Sequence, residues 1–329
     1  MDKTLPFDKS VLLAPMAGVN DPVFRRICRR FGADLSYSEM VSAAGLSYGN
    51  ARTQELLYVD AAERPLAVQL FGRDPDVLAR QAALLTEQHG SDLALIDINM
   101  GCPARKIAGK GEGAALMLDL PLAGRIMRAM VAATSLPVTV KFRRGYHAGQ
   151  ENAVEFARLA ESVGIAAVAV HGRWAEQMYA GRSDRQLVGR VKAAVSIPVI
   201  ASGDVFTVDD IGYYLDEQGA DAVMVARGAQ GNPWIFAAAQ AARRGSGDLP
   251  CYEPSVADRV AIAREHALGL AELFPRRLAS MRKHIAWYFK GVAGASAIRR
   301  QVNSCVELAD YLRLLDDVLA ADDVLAAAP

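Results

Sequence analysis

The chain has 329 residues, of which 52% are hydrophobic and 22% charged, and its 37 Lys and Arg residues balance 37 Asp and Glu residues. This composition indicates a folded protein with a large core and excludes a disordered chain. Because the net charge is zero, a polyanionic partner would have to be bound by a local basic patch.

Membrane insertion and secretion are not expected. No stretch approaches the roughly 18 uncharged apolar residues of a membrane span, and the first ten residues lack the apolar segment of a signal peptide. The four cysteines, Cys28, Cys102, Cys251 and Cys305, have no CxxC spacing. That scatter argues against disulfides and a zinc site, so we expect a cytoplasmic protein that holds no metal.

Short apolar runs, typical of parallel strands buried on both faces, alternate with helical patterns along the first part of the chain. Eight strands, each followed by a helix or a helix-sized segment, predict an α/β fold, the (β/α)₈ TIM barrel. No G-x-G-x-x-G follows the first strand, so a Rossmann site is not indicated. The predicted strands are Val11–Ala14, Leu35–Glu39, Leu66–Leu70, Leu93–Asn99, Pro137–Lys141, Ala166–His171, Pro198–Ala201 and Asp221–Ala226.

The pattern changes after Phe236. Residues 244–250 are rich in Gly and charge, which predicts a linker. From Val256 onward only helical periodicity is present. We therefore predict a TIM-barrel domain at residues 1–243, a linker at 244–250, and a C-terminal all-helical domain at 251–329.

Polar side chains recur at the carboxyl ends of the predicted strands, the edge where TIM barrels place their chemistry. One polar residue there is a strand end, but six in succession indicate a site. Two small turns, Ser202–Asp204 and Ala226–Gly228, follow strands seven and eight, where such barrels bind phosphate. The residues at this edge are Pro15, Met16, Ala17, Glu39, Gln69, Asn99, Cys102, Lys141, Arg143, His171, Ser202, Gly203, Asp204, Ala226, Arg227 and Gly228.

Three of these residues point to particular chemistry. Cys102 is either a reactive thiol at a strand end or a small buried apolar residue, and its neighbours leave both open. Lys141 is either a Schiff-base amine or a cation facing an anionic cofactor atom. The amide of Gln69 suits the edge of a heterocycle. Together with a phosphate site, this set favours flavin mononucleotide (FMN) over a sugar phosphate.

The chain resembles the tRNA-dihydrouridine synthases, most closely their bacterial B-type branch. The likeness extends through nearly the whole chain, and an MGCPA segment followed by KFR and HGR is highly specific. The family commonly has Asn-Gly-Asp where this chain has Ser202-Gly203-Asp204, and Gly-Arg where it has Ala226-Arg227. Matching segments include LLAPMAGVNDPVFRRICRRFGA (12–33), IDINMGCPARKIAGKGEGAAL (96–116), VKFRRGY (140–146), VAVHGR (168–173), DAVMVARGAQGNPWIF (221–236) and RKHIAWYFKG (282–291).

The resemblance implies FMN as cofactor, NADPH as reductant and reduction of uridine in the tRNA D-loop to 5,6-dihydrouridine. It implies that Cys102 is the general acid, giving a proton to C5 while reduced flavin gives a hydride to C6. A thiol with an unperturbed pKa of ~8.5 is protonated at neutral pH and can donate. The target base would be flipped out of its stack. The implied FMN-binding residues are Pro15, Met16, Ala17, Gln69, Lys141, His171, Ser202, Gly203, Asp204, Ala226 and Arg227.

Asn99 and Arg143 are further candidates for contacts with the substrate. A run of basic residues lies between residues 276 and 300, a segment with seven Lys and Arg residues and no Asp or Glu. Within it, Arg282 and Lys283 are candidates for binding tRNA phosphates, although an ordinary solvated helix face is the alternative. We expect a monomer with no stable protein partner and no membrane association.

Three other functions remain as alternatives. An FMN-dependent dihydropyrimidine or dihydroorotate-type oxidoreductase would share the barrel and the active cysteine, but not the helical tail. A phosphate-binding aldolase using Lys141 would be colourless. A non-catalytic tRNA-binding protein would not need Cys102.

Overall fold

The structure is a computed structural model that describes residues 5, 7–244 and 253–326. The chain forms two compact units, one of Met1–Pro22 with Ala33–Arg227 and one of Val23–Gly32 with Gly228–Pro329. The predicted linker after residue 244, and Cys251, lie outside the described residues.

The first unit is a closed barrel of eight parallel strands in sequential order, β1 to β8, and the predicted TIM barrel is confirmed. All eight strands lie within a few residues of their predicted positions. They are β1 (Ser10–Leu13), β2 (Leu35–Ser42), β3 (Leu66–Phe71), β4 (Leu93–Met100), β5 (Val138–Gly145), β6 (Ala167–Trp174), β7 (Val199–Ser202) and β8 (Ala222–Val225).

The barrel interior alternates small and large apolar side chains. Ala67 and Ala169 leave room for Tyr37, Leu95 and Met224, and all five are fully buried in one cluster. Layers of this kind fill a TIM barrel, so its centre is a packed core, not a channel. Within this unit, a ligand site is therefore expected at the rim of the barrel.

Helices occupy the connections between successive barrel strands, and local capping explains where several begin. Asp74 accepts hydrogen bonds from the N–H groups of Asp76 and Val77, and Pro75 opens that helix. Helix bounds up to β8 are α1 (Pro22–Arg30), α2 (Ala43–Ser47), α3 (Ala51–Glu55), α4 (Pro75–His89), α5 (Arg105–Ala108), α6 (Leu120–Ala133), α7 (Ala153–Ser162), α8 (Leu187–Lys192) and α9 (Val208–Gly212).

Strands β5 and β6 run three to four residues further than predicted. Their pairing continues past a register shift to Gly145 opposite Trp174. Because each strand stabilises the extension of the other, Arg143 and Arg173 become strand residues. Both guanidinium groups therefore start from a rigid backbone.

The second unit is helical and includes α1 from Val23 onward. Val23 and Ile27 pack in the same core as Met281, Ile285 and Tyr288. This packing explains why the unit boundaries differ from the predicted domains 1–243 and 251–329. The later helices are α10 (Trp234–Arg243), α11 (Val256–Leu273), α12 (Met281–Tyr288), α13 (Ala295–Val302) and α14 (Leu308–Ala326). None of the helices in the described part of the chain combines the length and the apolar character needed to cross a bilayer.

Candidate active site

A tight turn after β4 holds the thiol of Cys102. The Asn99 side-chain oxygen accepts hydrogen bonds from the backbone N–H groups of Gly101 at 3.2 Å and Cys102 at 2.9 Å. Gly113 passes behind the turn with φ +59°, and a Cβ there would lie 2.7 Å from the Cys102 carbonyl oxygen. Only glycine tolerates both that φ and that approach. The half-buried thiol is thus held at the end of a barrel strand.

Asn99 is the outer end of a buried chain of hydrogen bonds. Its Nδ2 donates to Oε1 of Gln69 at 2.8 Å, and Gln69 Nε2 donates to Oδ2 of Asp97 at 2.6 Å. Thr139 Oγ1 donates to the other carboxylate oxygen of Asp97 at 2.5 Å. Gln69, Asp97 and Thr139 are at most 1% exposed. The chain therefore links three neighbouring strands, β3, β4 and β5, beneath the thiol.

Burial raises the pKa of Asp97 from 3.8 to about 6, although the hydrogen bonds from Gln69 and Thr139 and the charge of Lys141 oppose the rise. Burial also lowers the pKa of Lys141 to about 8, helped by repulsion from Arg143. Within residues 7–244 and 253–326, the Lys141 ammonium makes no hydrogen bond or ion pair, although the nearby Asp97 and Cys102 side chains partly offset the effect of burial on its pKa. A cation held in this way suits an anionic ligand atom.

His171 offers a neutral N–H at the same rim. Its Nδ1 accepts a hydrogen bond from the backbone N–H of Arg173 at 3.2 Å, so the ring proton resides on Nε2. Burial and the surrounding cations, Lys141 foremost, hold the pKa of His171 well below its ordinary value. The imidazole therefore acts as an uncharged donor through Nε2.

The turn after β7 is built around the carboxylate of Asp204. Gly203 and Asp204 both have positive φ, +113° and +50°. Arg173 binds both carboxylate oxygens at 2.8 and 2.7 Å, and Arg227 binds one of them at 2.8 Å. Burial alone would raise the pKa of Asp204, but hydrogen bonds from Arg173 and the Ser183 N–H lower it. Two guanidinium groups on one carboxylate leave a net charge of +1 at the turn.

Aromatic side chains cover the Arg227 guanidinium. Its carbon lies 5.1 Å from the ring centre of Tyr179 and 5.3 Å from that of Phe206. These rings are 58% and 46% exposed. The cation–π contacts fix the direction of a partly exposed guanidinium, which stays available to an anion.

The turn after β1 carries Pro15, Met16 and Ala17. The Met16 carbonyl accepts a hydrogen bond from the Val19 N–H at 3.1 Å. The N–H of Gly18 donates to the buried carboxylate of Glu39. Glu39 therefore supports this turn. At the other turns, Ser202 is buried and Ala226 half-buried.

The sequence matches a known protein family over most of its length. The dihydrouridine synthase (Dus) family matches residues 12–323. The chain belongs to the dihydrouridine synthase family. As a member it is an enzyme, a flavin-dependent oxidoreductase, and the resemblance found in the sequence is confirmed.

Among curated relatives, the tRNA-dihydrouridine synthase B of Shewanella oneidensis is 40% identical over 280 residues, covering 84% of this chain and 85% of that protein. The tRNA-dihydrouridine synthase B of Xanthomonas axonopodis pv. citri is 38% identical, covering 97% of this chain and 95% of that protein. Among solved structures, histamine dehydrogenase from Rhizobium sp. 4-9 matches with a TM-score of 0.51 at 12% identity, over 72% of this chain and 46% of that one. This last likeness concerns the fold alone.

In this dihydrouridine synthase, the buried side chain of Arg143 connects separate backbone segments by hydrogen bonds. It is 4% exposed, and its guanidinium donates to the carbonyl oxygens of Gly101 at 2.8 Å, Trp174 at 3.0 Å and Met178 at 3.0 Å. Burial lowers its pKa to about 10. The side chain joins the Cys102 turn to the loop after β6 through its Nε and Nη1 atoms, which holds the guanidinium in one orientation.

The two predicted tRNA contacts in the helical unit of the synthase are half-buried. Arg282 donates from Nε and Nη2 to the Cys305 carbonyl oxygen, at 3.0 and 2.8 Å. Lys283 follows it on α12. Exposed cations of the same basic run are Arg276, Lys290, Arg299 and Arg300.

Sequence reasoning missed three residues of the candidate site: Asp97, Thr139 and Arg173. A carboxylate within an otherwise apolar strand, as at Asp97, was the available signal, because a buried charge needs partners. Arg173 stands in the HGR segment that carried the resemblance. Thr139 had no signal, since threonine is an ordinary strand residue.

Proposed function

We propose that this synthase reduces uridine in the D-loop of tRNA to 5,6-dihydrouridine, with FMN as cofactor, NADPH as reductant and Cys102 as general acid. The observation that carries the proposal is the thiol of Cys102, held by Asn99 at the carboxyl end of β4. The printed names of the relatives, tRNA-dihydrouridine synthase B, support tRNA as the substrate.

The residues at the rim fit FMN on two grounds. The net positive charge at Asp204, Arg173 and Arg227 suits a phosphate after β7 and β8. The Lys141 ammonium and the Nε2–H of His171 are donors that suit the electronegative edge of an isoalloxazine ring. Pro15, Met16, Ala17, Gln69, Ser202, Gly203 and Ala226 complete the proposed cofactor set.

FMN, once reduced, would supply the hydride that uracil accepts at C6. Cys102 supplies the proton at C5, because its turn presents the thiol at the barrel mouth. Glycine at 113 and the hydrogen bonds to Asn99 hold the turn in place before the substrate arrives, so little ordering is needed during the reaction.

Binding of tRNA requires the target base to leave its stack. We assign the tRNA backbone to the exposed cations Arg276, Lys290, Arg299 and Arg300, with the half-buried Arg282 and Lys283 as neighbouring candidates. Phosphate contacts of this kind are independent of sequence and weaken with salt. A monomer in the cytoplasm is the form that we propose.

The test separates the two half-reactions. In Cys102→Ala, NADPH should still reduce the flavin, whereas reoxidation of the flavin by tRNA should slow by on the order of 10²-fold or more, because the acid is missing. Cys305→Ala, which removes another thiol buried in the helical unit, is the matched control. Parent-like tRNA reduction by Cys102→Ala refutes the role of the thiol. Reduction of free pyrimidines but not of tRNA would support the dihydropyrimidine-type alternative.

A further inference from the structure

Below the thiol, the buried carboxylate of Asp97 closes the chain of hydrogen bonds through Gln69 and Asn99. We propose that Asp97 is a positioning residue, whose hydrogen-bond acceptance fixes both amides and thereby the turn that presents Cys102. This inference rests on the proposed function for the role of the thiol, but not for the geometry.

The direction of each hydrogen bond in the chain is forced. Backbone N–H groups at Gly101 and Cys102 are donors only, so Asn99 must turn its oxygen towards them. Its NH₂ then faces Gln69, whose oxygen must accept. The NH₂ of Gln69 consequently faces Asp97, which must accept as well. A carboxylate is the side chain that secures this polarity, since it has no N–H to offer.

Nearly all hydrogen-bond donors and acceptors of the Asn99 side chain already have partners within the protein. Its oxygen accepts two hydrogen bonds, and its NH₂ donates to Gln69 and lies 3.7 Å from the sulfur of Met40. An Asn side chain has two donor hydrogens and two acceptor sites. Contact between Asn99 and uracil would therefore break one of these bonds, whereas positioning of the turn uses all of them.

Three neighbours of Asp97, namely Gln69, Thr139 and Lys141, support the acceptor state against the opposing effect of burial. Thr139 donates to the oxygen that Gln69 leaves open, and the positive charge of Lys141 favours the ionised form. With a pKa of about 6, the carboxyl is mostly ionised in a weakly alkaline assay buffer. Buried hydrogen bonds in series polarise one another, so loss of the terminal acceptor should be felt at the far end.

The experiment uses the holoenzyme with Asp97→Leu, Asp97→Asn and Asn99→Ala. Leucine fills the volume without accepting a hydrogen bond. Asparagine keeps an acceptor for Gln69 and can donate to the hydroxyl of Thr139, so it preserves the chain without the charge. Two quantities are measured: the rate of tRNA-driven flavin reoxidation, and the rate of Cys102 alkylation by iodoacetamide, followed by mass spectrometry of its peptide.

Asp97→Leu should slow tRNA reduction about 10-fold or more, because a misplaced catalytic group reacts poorly. The same variant should speed alkylation of Cys102 about 5-fold or more, because the turn opens locally. Asp97→Asn should stay within about 3-fold of the parent in both assays. Asp97→Leu combined with Asn99→Ala should be no slower than Asn99→Ala alone, because both changes break one chain.

Asp221→Ala, which removes a carboxylate that binds Lys192 and the Val199 N–H at the start of β7 and β8, is the matched control and should keep parent rates. Cys28 and Cys305 are internal controls, since both are buried and should stay protected. If iodoacetamide alkylates Cys28, Cys102 and Cys305 all faster in Asp97→Leu than in the parent, the whole protein is loosened and the proposal fails.

Other results also overturn it: parent-like rates in Asp97→Leu, a loss in Asp97→Asn as large as that in Asp97→Leu, or independent effects of residues 97 and 99. If Asp97→Leu does not fold, two results still decide. A loss of about 10-fold in Asp97→Asn overturns the proposal by assigning the role to charge, and parent-like protection of Cys102 in Asn99→Ala overturns it by showing that the chain does not hold the turn. If tRNA does not reoxidise the parent flavin, the proposed function fails, and the alkylation rates still judge the positioning role.

Discussion

Replacement of Asp97 by asparagine should stabilise the protein at neutral pH, which is unusual for a change inside an active site. Burial raises the pKa of this carboxyl from 3.8 to about 6, and the attraction of Lys141 is already included in that value. At ~1.4 kcal/mol per pKa unit, the ionised carboxylate lowers the free energy of unfolding by about 3 kcal/mol at about pH 7.5. An asparagine side chain would accept the hydrogen bond from Gln69 and donate one to the hydroxyl of Thr139 without this penalty.

The raised pKa of Asp97 determines how its contribution to the free energy of unfolding changes with pH. A carboxyl whose pKa is raised by folding contributes stability below its unfolded pKa of 3.8, and that contribution is lost as the pH rises through about 6. The stability difference between Asp97→Asn and the parent should therefore grow from about 0.5 kcal/mol at about pH 4 to about 3 kcal/mol at about pH 7.5.

Denaturant unfolding of both proteins across this pH range measures the difference. Asp221→Asn is a suitable control, because its carboxylate binds Lys192 at 2.7 Å and lies partly exposed at the opposite end of the strands. It should not stabilise the protein at neutral pH. A difference for Asp97→Asn that does not change with pH, or that grows towards acid, would refute the assignment of an unfavourable buried charge.

Three further predictions concern the cofactor, the substrate and the turn. Arg227→Ala should lose FMN on dialysis faster than the parent and than the exposed-arginine control Arg125→Ala, since a phosphate loses a charge-assisted partner; unchanged flavin absorbance would contradict this. Replacing both Arg299 and Arg300 by Ala should lower the log–log salt slope of tRNA binding by roughly one to two, with FMN content unchanged, whereas an equal slope would place the tRNA backbone elsewhere. Gly113→Ala should destabilise the protein by about 1–3 kcal/mol in denaturant unfolding and slow tRNA reduction, because its Cβ would collide with the Cys102 carbonyl; parent stability would show that the turn can move.

Sequence patterns predicted the strand count and the polar rim because both depend on local regularities. Apolar runs of strand length report burial on two faces, and the residue after each run is automatically a rim residue. Lys141, His171 and Asp204 were found in this way. Hydrogen-bond direction is not local: no pattern around Gln69 indicates that its amide donates to Asp97, 28 residues further along the chain.

The hydrogen-bond partners of Arg143 could not be predicted from local sequence either. A basic residue just beyond a predicted strand suggests a ligand contact, and its binding to three carbonyl oxygens could not be read from the pattern. The unit boundary differs from the predicted domain boundary for a related reason. Helix α1 has the sequence of any amphipathic helix, and only packing decides which core it joins.

The hydrogen bonds made by Arg143 also limit which insertions and deletions the loop after β6 can accept. One guanidinium holds the carbonyl of Gly101, next to Cys102, and the carbonyls of Trp174 and Met178, which bracket the loop leading to Tyr179. An insertion or deletion between Trp174 and Met178 would therefore pull on the thiol as well as on the aromatic surface. Loop length here is set by an arginine on a different strand, so any redesign of the loop that carries Tyr179 has to preserve the spacing of those two carbonyls.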